Sequence, residues 1–215
     1  MSRLHTLMAG PERIAAYFDA EIAAGTVVPT STSEGAPGVV VIAHRGGRRC
    51  GNMAWGFPRH TRAMREQGEP PGRIGLVADL TNPLWDTVIV EPRQRCLIAL
   101  THFANPDGVP GEMTRTWFSV AGHPIIAWAG IWRMTDDGPV YAGLTMDAND
   151  AIPPTNDRMP LLLIPADHER WLHGSIQDVI AFQFGTPIPG NRMVVERTSA
   201  RWRSEGLPST QGALL

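Results

Sequence analysis

The sequence contains no lysine, and all 19 of its basic residues are arginine. A biased genome composition accounts for this absence as well as any function does. The absence still limits the chemistry, because a contact with phosphate must use a guanidinium group and no lysine amine can form a Schiff base. The only aliphatic amine on the chain is its N-terminus.

Cysteine is almost absent as well. Cys50 and Cys96 are too few and too far apart for a disulfide framework or a zinc site, so we expect neither a metal nor another cofactor. No apolar run approaches the roughly 20 residues that cross a membrane, and the first residues lack the apolar core of a signal peptide. We therefore expect a cytoplasmic protein without a membrane partner. The net charge of −2 gives no general signal for binding a polyanion.

Hydrophobic residues make up 43% of the 215 residues, which suits one globular domain with a real core. We predict an α+β fold in a single domain, residues 1–203, whose mostly antiparallel, barrel-like sheet is flanked by a few helices. Polar residues 204–215 are predicted to form a flexible tail. Period and capping signals predict helices over residues 11–24 and 175–184, and Pro165 opens another helical segment. The predicted strands are residues 38–43, 49–55, 74–78, 87–90, 96–100, 114–120, 125–132, 140–146 and 193–196. Residues 102–111, with two prolines, are predicted to form a loop.

A polar cluster between stiff apolar flanks lies at residues 155–158. Pro153 and Pro154 hold the chain extended before it, and the apolar run 161–164 follows it. Such a pattern presents side chains at a site, but it also makes an ordinary structural turn. The residues alone leave both interpretations open.

The most basic stretch, residues 59–65, follows a tryptophan. Arg59, Arg62 and Arg65 share one broad side if the stretch is helical. Together with Trp55 they offer what single-stranded nucleic acid needs, which is phosphate contacts beside an aromatic surface. The alternative is a solvated charged face.

Several stretches occur in a fixed order along the chain. They are Met1-Ser2, NMAWGFP at 52–58, RCLI at 95–98 with FAN at 103–105, TRTWF at 114–118 with AWAGIW at 127–132, and NDRMPLLLIPADHERWL at 156–172. Together they resemble the signature of the SRAP (SOS response-associated peptidase) family. The resemblance covers roughly residues 1–185 and implies the α+β fold given above, and it also implies binding of single-stranded DNA at abasic sites.

The resemblance also implies a chemistry. In the family the initiator Met is removed, and the α-amine and thiol of the exposed Cys join the ring-opened sugar in a thiazolidine, assisted by an Asn, a Glu and a His. The Cys position is Ser2 here, the Glu position is Asn105 and the His position is Asn156. The family Asn falls within residues 75–82, where Asn82 is the only asparagine.

Three of these four positions depart from the family pattern. A serine hydroxyl is a far poorer nucleophile than a thiolate near neutral pH. Asn105 and Asn156 can hydrogen-bond but cannot act as a general acid or base. His102 is the best replacement by its proximity to Asn105, with His5, Asp107 and Asp157 as further candidates. The alternative is that His102 is incidental, as a lone histidine in a loop often is.

The DNA-binding part of the pattern is better preserved. Trp55 and Gly56 remain as a surface for a base, and Arg158 remains as a phosphate or sugar contact. The alternatives are that Trp55 belongs to the core and that Arg158 pairs with Asp157 or a backbone carbonyl.

Three hypotheses follow. The first is an SRAP-like DNA-damage-response protein that binds single-stranded or abasic DNA, with crosslinking weakened or lost. The second is a pseudoenzyme whose cleft binds a protein partner or small ligand. The third is an enzyme of altered mechanism, an amine-only abasic-site lyase or an amidohydrolase using His102. All predict that Ser2, Asn105 and Asn156 meet in one pocket, with Arg158 at its rim.

Overall fold

The computed structural model describes residues 3–202, 204 and 206–209, and it confirms the predicted α+β class. Two sheets hold most of the strands, and a small two-stranded sheet projects beside them. The strands are β1 Leu4–Thr6, β2 Ala20–Ile22, β3 Ser31–Ser33, β4 Pro37–His44, β5 Gly47–Trp55, β6 Phe57–Arg59, β7 Gly72–Ile74, β8 Leu76–Val77, β9 Arg95–Leu100, β10 His102–Asp107, β11 Thr114–Val120, β12 Ile126–Thr135, β13 Gly138–Asp147, β14 Arg158–Pro160, β15 Leu162–Leu163 and β16 Met193–Arg201.

The larger sheet closes on itself. Its order is β14-β13-β12-β9-β4-β5-β2, and β13 also pairs with β5, so that five strands form a ring. The closing pairs are parallel, Val140 with Ala54 and Tyr141 with Trp55, whereas the other contacts within the ring are antiparallel. Closure removes two sheet edges and gives the chain its barrel.

The second sheet has the order β16-β11-β10-β1-β3 and is antiparallel throughout. Strand β1 lies between β3 and β10, so the start of the chain is built into this sheet. The polar residues that concern us lie where this sheet meets the loop between β13 and β14.

The helices are short and lie around the sheets. They are α1 Pro11–Phe18, α2 Arg62–Glu66, α3 Asp86–Ile89, α4 His168–His173 and α5 Ile176–Gln183. The helix predicted at residues 175–184 is confirmed, and Ser175 and Asp178 form its capping box. Pro165–Asp167 is a 3₁₀ turn that leads into α4, as expected from Pro165.

Three predicted elements were wrong. The helix predicted to reach residue 24 ends at Phe18, because Asp19 adopts a left-handed conformation and Ala20–Ile22 then pairs with β5. Residues 87–90 lie in and just after α3 rather than in a strand, since Asn82 and Pro83 start a helical turn ahead of them. Residues 102–107 form β10 rather than a loop. Pro106 is tolerated there because the described part of β1 pairs only with His102 and Phe103.

Candidate functional site

Asn156 is hydrogen-bonded to the neighbour of Asn105, although Asn156 lies in a loop of the larger sheet and Asn105 in the second sheet. Asn105 is fully buried near the end of β10, and Asn156 is 5% exposed in the loop between β13 and β14. The Asn156 amide nitrogen donates to the carbonyl oxygen of Pro106, the neighbour of Asn105, at 2.8 Å. The Asn156 backbone N–H donates to Pro153, so the rigid arm predicted at the two prolines helps to hold it.

The start of the chain is directed toward this pair. In β1, His5 pairs with Phe103 and Thr6 with His102, and the two strands are antiparallel. Leu4, at the start of β1, and Arg3 before it therefore lie on the side of His5 nearer the Asn105 end of β10. Ser2 itself, and the predicted meeting of Ser2 with the two asparagines, lie outside the described residues.

Arg3 is the first described residue, and a carboxylate holds it. Its guanidinium lies 3.2 Å from Glu34, whose other oxygen accepts the Gly75 N–H at 2.8 Å. Gly75 must be a glycine, because a Cβ there would approach both Glu34 and the Trp55 indole within 3 Å. Sequence analysis missed Glu34, since it lies outside the motifs and becomes relevant only through folding.

His102 does not lie on the side of Asn105. The two residues are three positions apart on one strand, so their side chains point to opposite faces of the sheet. The His102 ring nitrogen Nδ1 lies 3.0 Å from the Thr101 hydroxyl, and burial lowers the pKa of His102. The short distance in sequence between His102 and Asn105 suggested that they act together, because a loop was predicted there and a loop would allow their side chains to converge. His5 is also buried, among Trp55, Trp128 and Tyr141, and burial lowers its pKa to about 3.

Trp55 belongs to the core, as the alternative interpretation held. Its side chain is fully buried, stacks on Tyr141 at 6.1 Å between ring centroids and donates its indole N–H to the Gly75 carbonyl. In this structure it offers no face to a base. Gly56 follows with φ of +118°, a conformation that favours glycine, and its N–H donates to Tyr141.

Arg158 and Asn82 have structural partners. The Arg158 guanidinium binds Asp147 at 2.8 Å and the carbonyl oxygens of Ala78 and Thr145. The predicted backbone carbonyl contact is thus present, and the acidic partner is Asp147 rather than Asp157. The Asn82 side chain caps a 3₁₀ turn by accepting the Leu84 N–H at 3.0 Å.

The basic stretch forms an exposed surface on the small two-stranded sheet, with Arg59 at the end of β6 and Arg62 and Arg65 on α2. Arg62 pairs with Glu66 at 2.7 Å, and both side chains remain largely exposed. Arg73 on β7 is also exposed and lies against Gly35 and Gly56. We call Arg59, Arg62 and Arg65 the basic hairpin surface. Arg73, which sequence analysis missed, pairs with Pro58 rather than with Arg59, so its side chain lies on the opposite face of the two-stranded sheet from that of Arg59.

Within residues 3–202, 204 and 206–209, no group of three or more histidine, cysteine, aspartate or glutamate side chains could hold a metal ion. Burial raises the pKa of the Cys50 thiol to about 11 and that of Cys96 well above its usual value, so both behave as apolar core residues. Among the same residues, no helix has the length and apolar character needed to cross a membrane.

A closed ring of strands, a second antiparallel sheet that carries the N-terminal strand and a loop between β13 and β14 that reaches that sheet define the architecture. The family model for "SOS response associated peptidase (SRAP)" matches residues 3–202. The chain therefore belongs to the SRAP family. None of the curated proteins compared with the chain matches it.

Solved structures share the fold. A Bordetella bronchiseptica protein has 22% identity and a TM-score of 0.73, covering 91% of this chain and 99% of that one. A Bacteroides thetaiotaomicron protein has 17% identity and a TM-score of 0.74, covering 91% of each chain. A phage-related protein from Bordetella bronchiseptica has 14% identity and a TM-score of 0.69, covering 94% of this chain and 97% of that one. At these identities the likeness concerns the fold alone.

Proposed function

We propose that this protein is an SRAP-type DNA-damage-response protein that binds single-stranded and abasic DNA, with durable crosslinking weakened or lost. The observation that carries the proposal is the hydrogen bond that joins Asn156 to Pro106, the neighbour of Asn105, at the end of β10 toward which the N-terminal strand is directed. The resemblance assigns both positions to the family's site. Their amides can orient a sugar or phosphate, but they cannot transfer protons in the way that a carboxylate and an imidazole do.

The N-terminal amine supplies the remaining reactivity. An α-amine has a reference pKa of about 7.7–8.0, so a minority is neutral and nucleophilic near pH 7. With Met1 removed, the nitrogen of Ser2 attacks the aldehyde carbon of the ring-opened abasic sugar. Loss of one water leaves a C=N bond that the same water can reverse. A serine hydroxyl in place of a thiol leaves this imine as the main adduct.

The basic hairpin surface supports the DNA-binding half of the proposal. Arg73 lies against Gly35, the neighbour of Glu34, and Glu34 pairs with Arg3. Arg3 and Arg73 therefore lie near the same turn of the chain, and Arg59, Arg62 and Arg65 supply a second group of guanidinium charges. This arrangement suits a phosphate backbone that passes the N-terminus.

The test uses a labelled single-stranded oligonucleotide with one abasic site. We expect salt-dependent binding, and Arg59, Arg62 and Arg65 should contribute about −2 to the log–log slope if each neutralises one phosphate, at roughly −0.7 per contact. Replacing all three with Ala should make the slope less negative by about that amount. Borohydride, which reduces the C=N bond, should trap an adduct with wild-type protein but not with protein whose N-terminus is blocked.

Without borohydride, intact mass should show no stable adduct. An abundant adduct that survives denaturation would contradict weakened crosslinking. Absence of DNA binding at low salt would contradict the proposal as a whole and favour the pseudoenzyme that binds a protein or small ligand. Equal trapping before and after the N-terminus is blocked would exclude the amine while leaving DNA binding intact.

A further inference from the structure

A second surface begins at Arg3 and leads away from the basic hairpin surface. It is a cleft of about 780 Å³ that is lined by Arg3, Ser31, Ser33, Arg115, Trp202 and Leu207, among others. Trp202 also lines an adjoining cavity of about 500 Å³ together with Met113 and Arg201. Trp202 is the residue that lines both cavities, and we call them together the Trp202 groove.

The Trp202 groove combines charged, hydroxyl-bearing and apolar side chains. It contains guanidinium groups, the hydroxyl groups of Ser31 and Ser33, and an aromatic ring with an aliphatic neighbour in Leu207. Guanidinium and hydroxyl donors bind phosphate oxygens, and an aromatic ring accepts the face of any base. Arg3 and Arg201 supply the charge for phosphates, because the Arg115 guanidinium binds backbone carbonyl oxygens.

Trp202 is held in place from its backbone. Its N–H donates to the Met113 carbonyl at 2.9 Å, and its own carbonyl accepts from Arg115 at 3.0 Å. The Arg115 guanidinium also binds the carbonyl oxygens of Ser204 and Gly206. Arg115 is therefore a positioning residue, and its buried positive charge raises the potential of the groove.

Exposure singles out this tryptophan. Of the seven tryptophans, five are 5% exposed or less, and only Trp132 and Trp202 are half-buried. Trp55, the expected stacking residue, is in the core. Trp132 packs partly against the core from the ring-forming strand β12, whereas Trp202 lines two cavities.

The Trp202 groove lies on the face of the five-stranded sheet opposite Asn105, because Arg115 pairs with Pro106 and Asn105 with Thr116. Arg3 borders both the groove and the Glu34 side of the sheet. A strand in the groove must therefore turn at the start of the chain. An abasic nucleotide has no base to stack, so a strand turns there at less cost than elsewhere.

We propose that the Trp202 groove binds the nucleotides on one side of the abasic site, with one base stacked on Trp202 and phosphates on Arg3 and Arg201. The basic hairpin surface holds the other side. This inference rests on the proposed function and assigns a base-stacking role to Trp202.

The experiment measures the affinity of wild-type protein and variants for a labelled abasic single strand. Trp202→Ala should weaken binding by about 5- to 150-fold, since stacking contributes roughly 1–3 kcal/mol per base. Trp202→Phe keeps a ring and should stay within about threefold of wild type. DNA should quench indole fluorescence in wild type and in the matched control Trp132→Phe, and this quenching should disappear in Trp202→Phe. The fluorescence readout holds even if Trp202→Ala folds poorly.

Two results are distinguishable. Wild-type protein that binds no DNA overturns the proposed function, and this inference with it. Wild-type binding that needs Arg59, Arg62 and Arg65, with unchanged affinity in Trp202→Ala and unchanged quenching in Trp202→Phe, overturns this inference alone. The groove would then belong to another ligand.

Discussion

Two sets of arginines in this protein have the same side chain and opposite surroundings. Arg95 is 1% exposed, and its guanidinium binds Gly174 at 2.6 Å and Trp171 and Ile89 at 3.4 Å, in each case through a carbonyl oxygen. Arg115 binds three carbonyl oxygens in a similar way. The arginines of the basic hairpin surface are exposed, and the side chain of Arg62 is 89% exposed.

The difference in burial decides whether a guanidinium group binds backbone carbonyl oxygens or is available to a ligand. Burial lowers the pKa of Arg95 and Arg115, yet the group keeps its proton and satisfies carbonyls that several elements leave unpaired. On the basic hairpin surface the same group has few protein partners and can neutralise a phosphate. A chain without lysine therefore uses arginine both to tie its elements together and to offer charge.

The largest expected effect comes from removing a buried guanidinium. Arg95→Met should lower the free energy of unfolding by about 3 kcal/mol, because it leaves buried carbonyls without donors. The matched control is Arg93→Met, since the Arg93 side chain is 87% exposed and pairs only with nearby Glu91. Urea unfolding of both variants gives the comparison. If Arg95→Met lowers the free energy of unfolding by less than about 1 kcal/mol, the buried guanidinium contributes no more to stability than an exposed one, and the comparison fails.

Buried histidines give a second test, because a buried imidazole loses the proton that a buried guanidinium keeps. Burial lowers the pKa of His5 to about 3 and is the main cause that lowers that of His168 to about 4. Above pH 6.5 neither the folded nor the unfolded state is protonated at these sites, whereas below it only the unfolded state takes up the proton. The free energy of unfolding should therefore decrease as the pH is lowered, by about 2 kcal/mol between pH 7 and pH 5.5 for the two sites together.

Denaturant unfolding across this pH range measures that loss. His168→Phe, which can keep the stacking on Phe18, should roughly halve it. Stability that does not change between pH 7 and 5.5 would show that these imidazoles are protonated or solvated in the folded protein.

The smallest effect is expected on the basic hairpin surface. Glu66→Gln removes the partner of Arg62 in an exposed pair four residues apart, and should change the free energy of unfolding by less than about 0.5 kcal/mol. Affinity for single-stranded DNA should rise slightly, since Arg62 no longer has a competing carboxylate. Anisotropy titration beside the urea measurement checks both. A loss of stability above about 1 kcal/mol would show that the Arg62–Glu66 pair contributes to stability as the buried arginines do.

Much of the fold could be predicted from local pattern. The strand Thr114–Val120 has the predicted bounds, and the capping box at Ser175 marks the start of α5. Two of the three errors lie where tertiary pairing overrides local preference. Residues 20–22 continue a helical period but pair with β5, and residues 102–107 contain a proline but lie between β1 and β11.

The candidate site divides in the same way. The sequence by itself determined the family, the amide side chains at positions 105 and 156, and the absence of lysine, because these are properties of residue type and order. Only the tertiary structure decided that Trp55 is core, that His102 and Asn105 lie on opposite faces, and that Arg73 and Trp202 border the start of the chain. Sheet register and burial set those facts, and both depend on residues far apart in the chain that meet only when it folds.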